Sequence, residues 1–235
     1  MNALASLLSC IILISATGSI SEIDVTEAEI KNTKTGEVHS FTTLIEEIDR
    51  NFLLEIRGSE STTVFLYKGE PFTGIIKQNG PEEILIREYT VTNGVLDGTA
   101  SEYFPNAKLA TRVDYRNGYK HGIWETYYPN GQLAAIGHYN ENRRSGTWYS
   151  YFENGNIEWK GDYKAGNRNG VWKSYQENGT IRWTGNYLDG NRNGKWESYY
   201  ATGTPAWSGD YLNDQRSGTW ASYNPDGEVK WFRDY

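Results

Sequence analysis

Cysteine is almost missing from this 235-residue chain: the one thiol, Cys10, lies in an apolar N-terminal run, and everything after it has none. The body therefore forms no disulfide and offers no thiolate metal site. Histidine is nearly as scarce. His39, His121 and His138 share no metal-ligand spacing. His121 reads as a turn residue. His138 stands in a column otherwise held by Asp162, Asn186 and Asp210, which reads as the solvent face. No serine sits in a nucleophile-elbow pattern and no glycine-rich loop opens a helix, so acyl transfer and nucleotide binding have no support. A long apolar run is also lacking. The longest, LASLLSCIILISA at residues 4–16, is too short to span a bilayer comfortably. An excess of basic charge is absent as well. Residues 1–66 carry ten acids and four bases, and residues 67–235 carry twenty acids and nineteen bases. A body this close to neutral is not drawn in bulk to nucleic acid or to an anionic membrane.

The apolar run is followed by Ala16-Thr17-Gly18, a small-x-small pattern that suits cleavage before Ser19. Residues 1–18 are therefore expected to be a signal peptide, although no Lys or Arg precedes the apolar run. Export to the periplasm, the envelope or the medium follows from that expectation. Lipid anchoring through Cys10 is the minor alternative.

Aromatic residues and glycine are plentiful, at 14% of the chain and 25 residues. A register of twenty-four residues runs through most of the sequence. Glycines recur at Gly74, Gly98, Gly122, Gly146, Gly170, Gly194 and Gly218. Two residues later stand Trp124, Trp148, Trp172, Trp196 and Trp220, with Ile76 and Ala100 in that column of the first two copies. Next come Tyr103, Tyr127, Tyr151, Tyr175, Tyr199 and Tyr223, and then a turn such as Asn130-Gly131, Asn154-Gly155 or Asn178-Gly179. Fixed periods of this size mark repeat architecture. Asn-Gly favours hairpin turns, and the flanking segments alternate: Ile157, Trp159, Gly161 and Tyr163 point one way, Glu158, Lys160 and Asp162 the other. Each repeat is expected to be a β-hairpin, and a second turn such as Lys164-Ala165-Gly166-Asn167 leads to the next.

The fold class is accordingly all-β: an elongated, single antiparallel meander of repeated hairpins over residues 67–235, about seven copies. At about 4.8 Å per strand, it forms a rod roughly 60–70 Å long. Gly137, Gly161, Gly185 and Gly209 leave gaps on the face that carries Trp159, Trp183 and Trp207, so a tryptophan from the neighbouring strand is expected to lie across each gap. Residues 19–66 lack the repeat and read as a small α+β cap: a hairpin over Glu29–Phe41, a short amphipathic helix over Thr42–Asn51, then two strands.

The motifs resemble MORN repeats, in particular the bacterial variant G-x-W-x-x-Y-x-x-N-G-x-L-x-x-x-G-x-Y. The likeness covers Tyr67 to Tyr235 and is strong from Gly122 onward. It implies a non-catalytic fold used for binding or scaffolding, and some bacterial proteins with this repeat are described as antitoxins. No cofactor or metal is implied.

One column carries charge. Lys120, Arg144, Arg168, Arg192 and Arg216 stand two residues before the leading glycines, at what reads as a turn position. Planar guanidinium groups suit phosphate, which makes an anion or lipid headgroup one reading; packing of each Arg over a neighbouring ring is the other. The carboxylates Asp114, Asp162 and Asp210 recur at double the repeat spacing, about 20 Å apart, against the roughly 5–9.5 Å that two-carboxylate glycoside chemistry needs. The chain reads as a non-enzymatic scaffold for a protein partner. A carbohydrate or cell-wall module working through aromatic rows, and an antitoxin-like role, are the alternatives. End-to-end association of copies through the edge at Tyr235 is a further expectation.

Overall fold

The fold is that of a computed structural model, which describes residues 73–79 and 84–235 and, before them, only short pieces of strand. The helix expected at 42–51 lies outside the described residues, as do Cys10 and most of the leader and the cap. The described elements are all strands. Fourteen of them, Gly74–Asn79 to Val229–Asp234, follow one another in chain order as an antiparallel meander, and the first also pairs with Ile12–Ser15. The chain divides into two compact units, Met1–Gly122 and Ile123–Tyr235.

In the first unit, strands Gly74–Asn79, Leu85–Thr92, Val95–Tyr103 and Leu109–Arg116 pair in order. Asn93-Gly94 forms a two-residue turn with both residues at positive φ (49° and 79°), the backbone that matches the right-handed twist of the flanking strands. Ile76, Val91, Ala100 and Val113 are buried. Tyr89 stands opposite both Ile76 and Ala100. In the twenty-four-residue register, Tyr89 and Val113 occupy the column that later holds Gly137, and Ala100 occupies the tryptophan column. Large and small have exchanged places, so the same space is filled from the other strand.

In the second unit the pattern becomes regular. Strands such as Arg143–Tyr151, Ile157–Lys164, Asn167–Tyr175 and Ile181–Leu188 alternate with two kinds of turn. The tight two-residue turns are Glu141-Asn142, Ala165-Gly166, Asp189-Gly190 and Asn213-Asp214, all at positive φ. The Asn-Gly turns are longer. In Phe152–Asn156 only Gly155 is left-handed (φ 86°), Phe152 N–H donates to the Asn156 carbonyl, and the Asn154 side chain accepts from Asn156 N–H. The strongest sequence signal for a hairpin thus marks the looser turn. The tighter one accepts Ala165 and Glu141 near φ 50°. Successive tight turns are bonded to one another: Gly166, Gly190 and Asp214 donate to the carbonyls of Arg144, Arg168 and Arg192.

Register departs from flush hairpins in one respect that sequence alone did not show. Opposite the single residue Gly161, the next strand supplies three: Gly170, Val171 and Trp172. The same excess recurs at Gly137 and Gly209. This bulge explains the leading glycines, since Gly146, Gly170, Gly194 and Gly218 take φ of 64–84°, where a Cβ is strained. It also carries the tryptophan back over the preceding strand.

The core of the second unit is Trp148, Trp172, Trp196 and Trp220, at most 6% exposed, on a sheet of a single layer. What hides them is their own row of neighbours. The other face is polar, with cross-strand pairs such as Thr147 Oγ1 donating to Asp162 at 2.6 Å and Thr219 Oγ1 to Asp234 at 2.6 Å. The last strand, Val229–Asp234, departs from the pattern: Arg233 occupies the place of Gly209, with its guanidinium 5.6 Å from the Trp231 ring centre.

Candidate functional site

Hairpins of the second unit build variants of one box around a buried indole, and Trp172 shows it in full. Gly161 is its floor: a Cβ added there would fall 2.2 Å from the indole ring. Trp159 stacks on it at 5.3 Å with 21° between planes. Tyr163 and Tyr187 meet it edge-on at 5.1 and 5.8 Å. Its Nε1–H donates to the Asp162 carbonyl at 3.1 Å, which satisfies the one polar atom that burial would otherwise orphan. Finally, the Arg168 guanidinium lies 4.5 Å from the ring centre. Aromatic pairs of this geometry contribute about 0.5–1.5 kcal/mol each beyond their burial. Repetition of the box lets a one-layer sheet bury tryptophan.

The expected ring-over-glycine packing is present at Gly137, Gly161, Gly185 and Gly209, under Trp148, Trp172, Trp196 and Trp220 respectively. Trp124, the first of the column, behaves differently. It is half-buried and leans against Trp148 at 5.1 Å with a 34° tilt. Ala135 stands where Trp159, Trp183 and Trp207 stand in later copies, and Trp124 takes the stacking position they fill. Trp148 Nε1 is buried without a hydrogen-bond partner. The tyrosines of the Tyr127 column alternate away from the rings. Tyr127 and Tyr199 donate to Glu125 and Glu197 two residues earlier, on the polar side. Tyr151 stacks with Tyr149 there, while Tyr175 and Tyr223 are half-buried.

The basic column needs a correction. Lys120, Arg144, Arg168, Arg192 and Arg216 lie inside strands, just after the tight turns, and His121 too is in the strand Tyr119–Tyr127. The turn itself needs only two residues, so the following ones are already paired. Strand geometry aims Arg144, Arg168 and Arg216 across the rings. Arg144 and Arg216 lie 4.4 and 4.5 Å from the centres of Trp148 and Trp220. Each of the three donates Nη1–H to a tyrosine hydroxyl: Arg144 to Tyr163 (2.8 Å), Arg168 to Tyr187 (2.9 Å), Arg216 to Tyr235 (2.6 Å). Burial acts to lower the Arg168 pKa, but hydrogen bonds to Tyr163 and Tyr187 outweigh it and hold the guanidinium above its ordinary value. Arg144 is held up in the same way, with Tyr139 and Tyr163 outweighing its burial. Tyr163 is thus shared by two arginines.

Arg192 breaks the row. Its Nε bonds Asp214 at 2.8 Å, its backbone N–H bonds the same carboxylate at 3.0 Å, and its Nη2 reaches the Asp214 carbonyl at 3.3 Å. Asp214 occupies a left-handed position (φ 66°) that glycine holds at Gly166 and Gly190, and the arginine clamps it there. Sequence reading missed Asp214, along with the role of Tyr139, Tyr163, Tyr187, Tyr211 and Tyr235 as arginine partners. The signal was present in the constant nineteen-residue step from each Arg to its Tyr.

Charge is segregated by face. The ring-face positions of the strands from Leu133 to Tyr235 hold Arg144, Arg168, Arg192, Arg216 and Arg233 but no Asp or Glu. Two carboxylates touch groups of this face from outside that set: Glu158 through Ser150, and Asp214 through Arg192. Among the described residues, no three His, Cys, Asp or Glu side chains group so as to hold a metal ion.

A family model for the MORN repeat variant matches three consecutive segments, residues 120–141, 144–165 and 168–189. Each begins on a residue of the basic column and ends in the next tight turn, so the family unit coincides with one hairpin. The curated proteins contain no match to this chain.

Proposed function

We propose that the chain is a non-enzymatic binding scaffold that lays an extended macromolecular partner along its repeated hairpins. The three consecutive MORN repeat variants support a repeat-based scaffold. The observation that carries the reading is the recurrence, hairpin after hairpin, of one half-exposed tryptophan beside one buried one: Trp159, Trp183 and Trp207 on Trp172, Trp196 and Trp220. A surface that offers the same contact at each step binds through avidity, where each further step raises affinity without a new kind of contact. A protein partner at the cell envelope, reached by export, is the first assignment. The partly buried indoles favour a second, a carbohydrate partner, because indole rings stack on the C–H faces of sugars.

The test is a pull-down with the chain from cells of its own organism, followed by affinity measurements on variants altered at one, two and three outer tryptophans. The expected result is a stepwise fall with each altered hairpin. Loss of all binding at one hairpin, with no effect at the others, would show a single local site and end the scaffold reading.

A further inference from the structure

The geometry points to a linear acidic polysaccharide, bearing carboxylate or sulfate groups, as the occupant of the ring face of the second unit. The assignment rests on the scaffold reading and names the chemistry of its partner. Three observations on that face combine. First, Trp159, Trp183 and Trp207 each have one ring face stacked on a buried indole, at 5.2–5.4 Å and 19–27° between planes, and each stays half-exposed. A fixed, flat, half-exposed indole is a platform for the C–H face of a sugar ring. Second, guanidinium groups are locked onto the same buried indoles, Arg168 on Trp172 and Arg216 on Trp220, both at 4.5 Å. Platform and cation are therefore neighbours of one ring. Third, no carboxylate shares these positions, although the chain as a whole carries a net charge of −7. Cations gathered on one face of an acidic protein complement an anionic partner.

The hydroxyl groups add direction. Tyr163 accepts from Arg144 and from Arg168, and neither arginine uses its O–H hydrogen. Carboxylate or sulfate oxygens need such donors, and a guanidinium beside a phenol hydroxyl supplies both kinds. Successive hairpins repeat the set at about 10 Å, two strand spacings. A polymer with anionic groups at that period reaches one site per hairpin. A peptide rich in acids has the charge but lacks the C–H ring faces that suit an indole platform.

The row also contains its own control. At Trp196 the guanidinium is held to one side of the indole: Arg192 is bonded to Asp214 and lies over the Tyr211 ring, 4.0 Å from its centre. Replacing Asp214 by glycine releases Arg192 and leaves the left-handed turn with the residue that Gly166 and Gly190 use.

The experiment titrates the full chain with polygalacturonate, dextran sulfate and neutral dextran, read by tryptophan fluorescence and calorimetry. The expected result is binding to one or both acidic polymers, weakening with salt, and none to dextran. Which acidic polymer binds decides between carboxylate and sulfate. Arg168→Gln and Trp183→Leu are each expected to weaken it about tenfold, and Asp214→Gly to tighten it, with the β-sheet circular dichroism spectrum unchanged. Equal binding to linear polyphosphate, or loss with Arg168→Gln but not with Trp183→Leu, would reduce the face to a generic polyanion contact and overturn the assignment. Absence of binding to either acidic polymer would overturn it too. If a captured protein partner still loses affinity stepwise with each altered hairpin, only the polysaccharide assignment fails and the scaffold reading stands.

Discussion

Replacing Gly161 by alanine tests the packing principle on which the second unit rests. Gly161 has no left-handed backbone to protect, so the added methyl group acts through space alone. That methyl carbon would lie 2.2 Å from the Trp172 ring, far inside van der Waals contact. The ring has nowhere to retreat, since Trp159 is stacked on it, Tyr163 and Tyr187 flank it, and Arg168 lies against it. Overpacking of a filled site costs about 1–3 kcal/mol, and forcing Nε1 off the Asp162 carbonyl adds about 1 kcal/mol. A loss of about 2–4 kcal/mol is expected, measured by urea unfolding with tryptophan fluorescence. Gly155→Ala separates the two roles of glycine. It meets nothing within 4 Å but must hold φ 86°, so it is expected to cost about 1 kcal/mol from backbone strain alone. In the double variant Gly161→Ala, Trp172→Leu, the collision is gone, so the pair should be no worse than Trp172→Leu by itself. A Gly161→Ala protein within about 0.5 kcal/mol of the parent would refute the account.

Other outcomes follow from the same geometry. Trp172→Ala is expected to cost about 3–5 kcal/mol by chemical unfolding, as for other buried aromatic truncations, and Trp183→Ala less because that ring is only partly buried. Arg168→Ala should cost about 1–2 kcal/mol through lost ring and hydroxyl contacts, with Arg168→Lys recovering little of it, since an ammonium lacks the planar fork. In the first unit, burial pushes the Tyr89 hydroxyl up to about 12. The unfolded chain releases that proton near 10, so stability is full below pH 10 and declines as pH rises through about 12. Tyr89→Phe should remove that part of the alkaline loss, followed by unfolding midpoints from pH 9 to 12. Glu197 is held below its ordinary value chiefly by the hydrogen bond from Lys195, so its small contribution is present above about pH 4.5 and lost as pH falls through the lowered value. Lys195→Ala should flatten that acid limb only slightly, because the lysine end of the pair is exposed.

Much of this fold is legible in the residues, and the reasons are local. Alternation over Ile157–Tyr163 and the spacing of Trp and Gly suffice to give the hairpin, its faces and the ring-over-glycine contact. The bulge at Gly170 was not legible. Three residues facing one leave the period unchanged, and the glycine there reads the same whether it fills a notch or takes a positive φ. The basic column shows the same limit. Sequence spacing located Arg168 next to a turn, but only the pairing shows that the strand begins at Asn167 and carries the side chain over Trp172. Asp214 escaped notice because its partner lies twenty-two residues away and in no other copy does an acid take the glycine's place. In the first unit, the exchange of Tyr89 for glycine and Ala100 for tryptophan hid a conserved volume behind a broken pattern.

Arg233 changes what the last strand offers to a neighbouring ring. An indole brought onto the last strand in the established step would meet a charged, branched side chain where its predecessors find bare main chain. A ring laid there would rest on a guanidinium and its methylene stem, a softer and wetter seat than the one Gly161 gives Trp172.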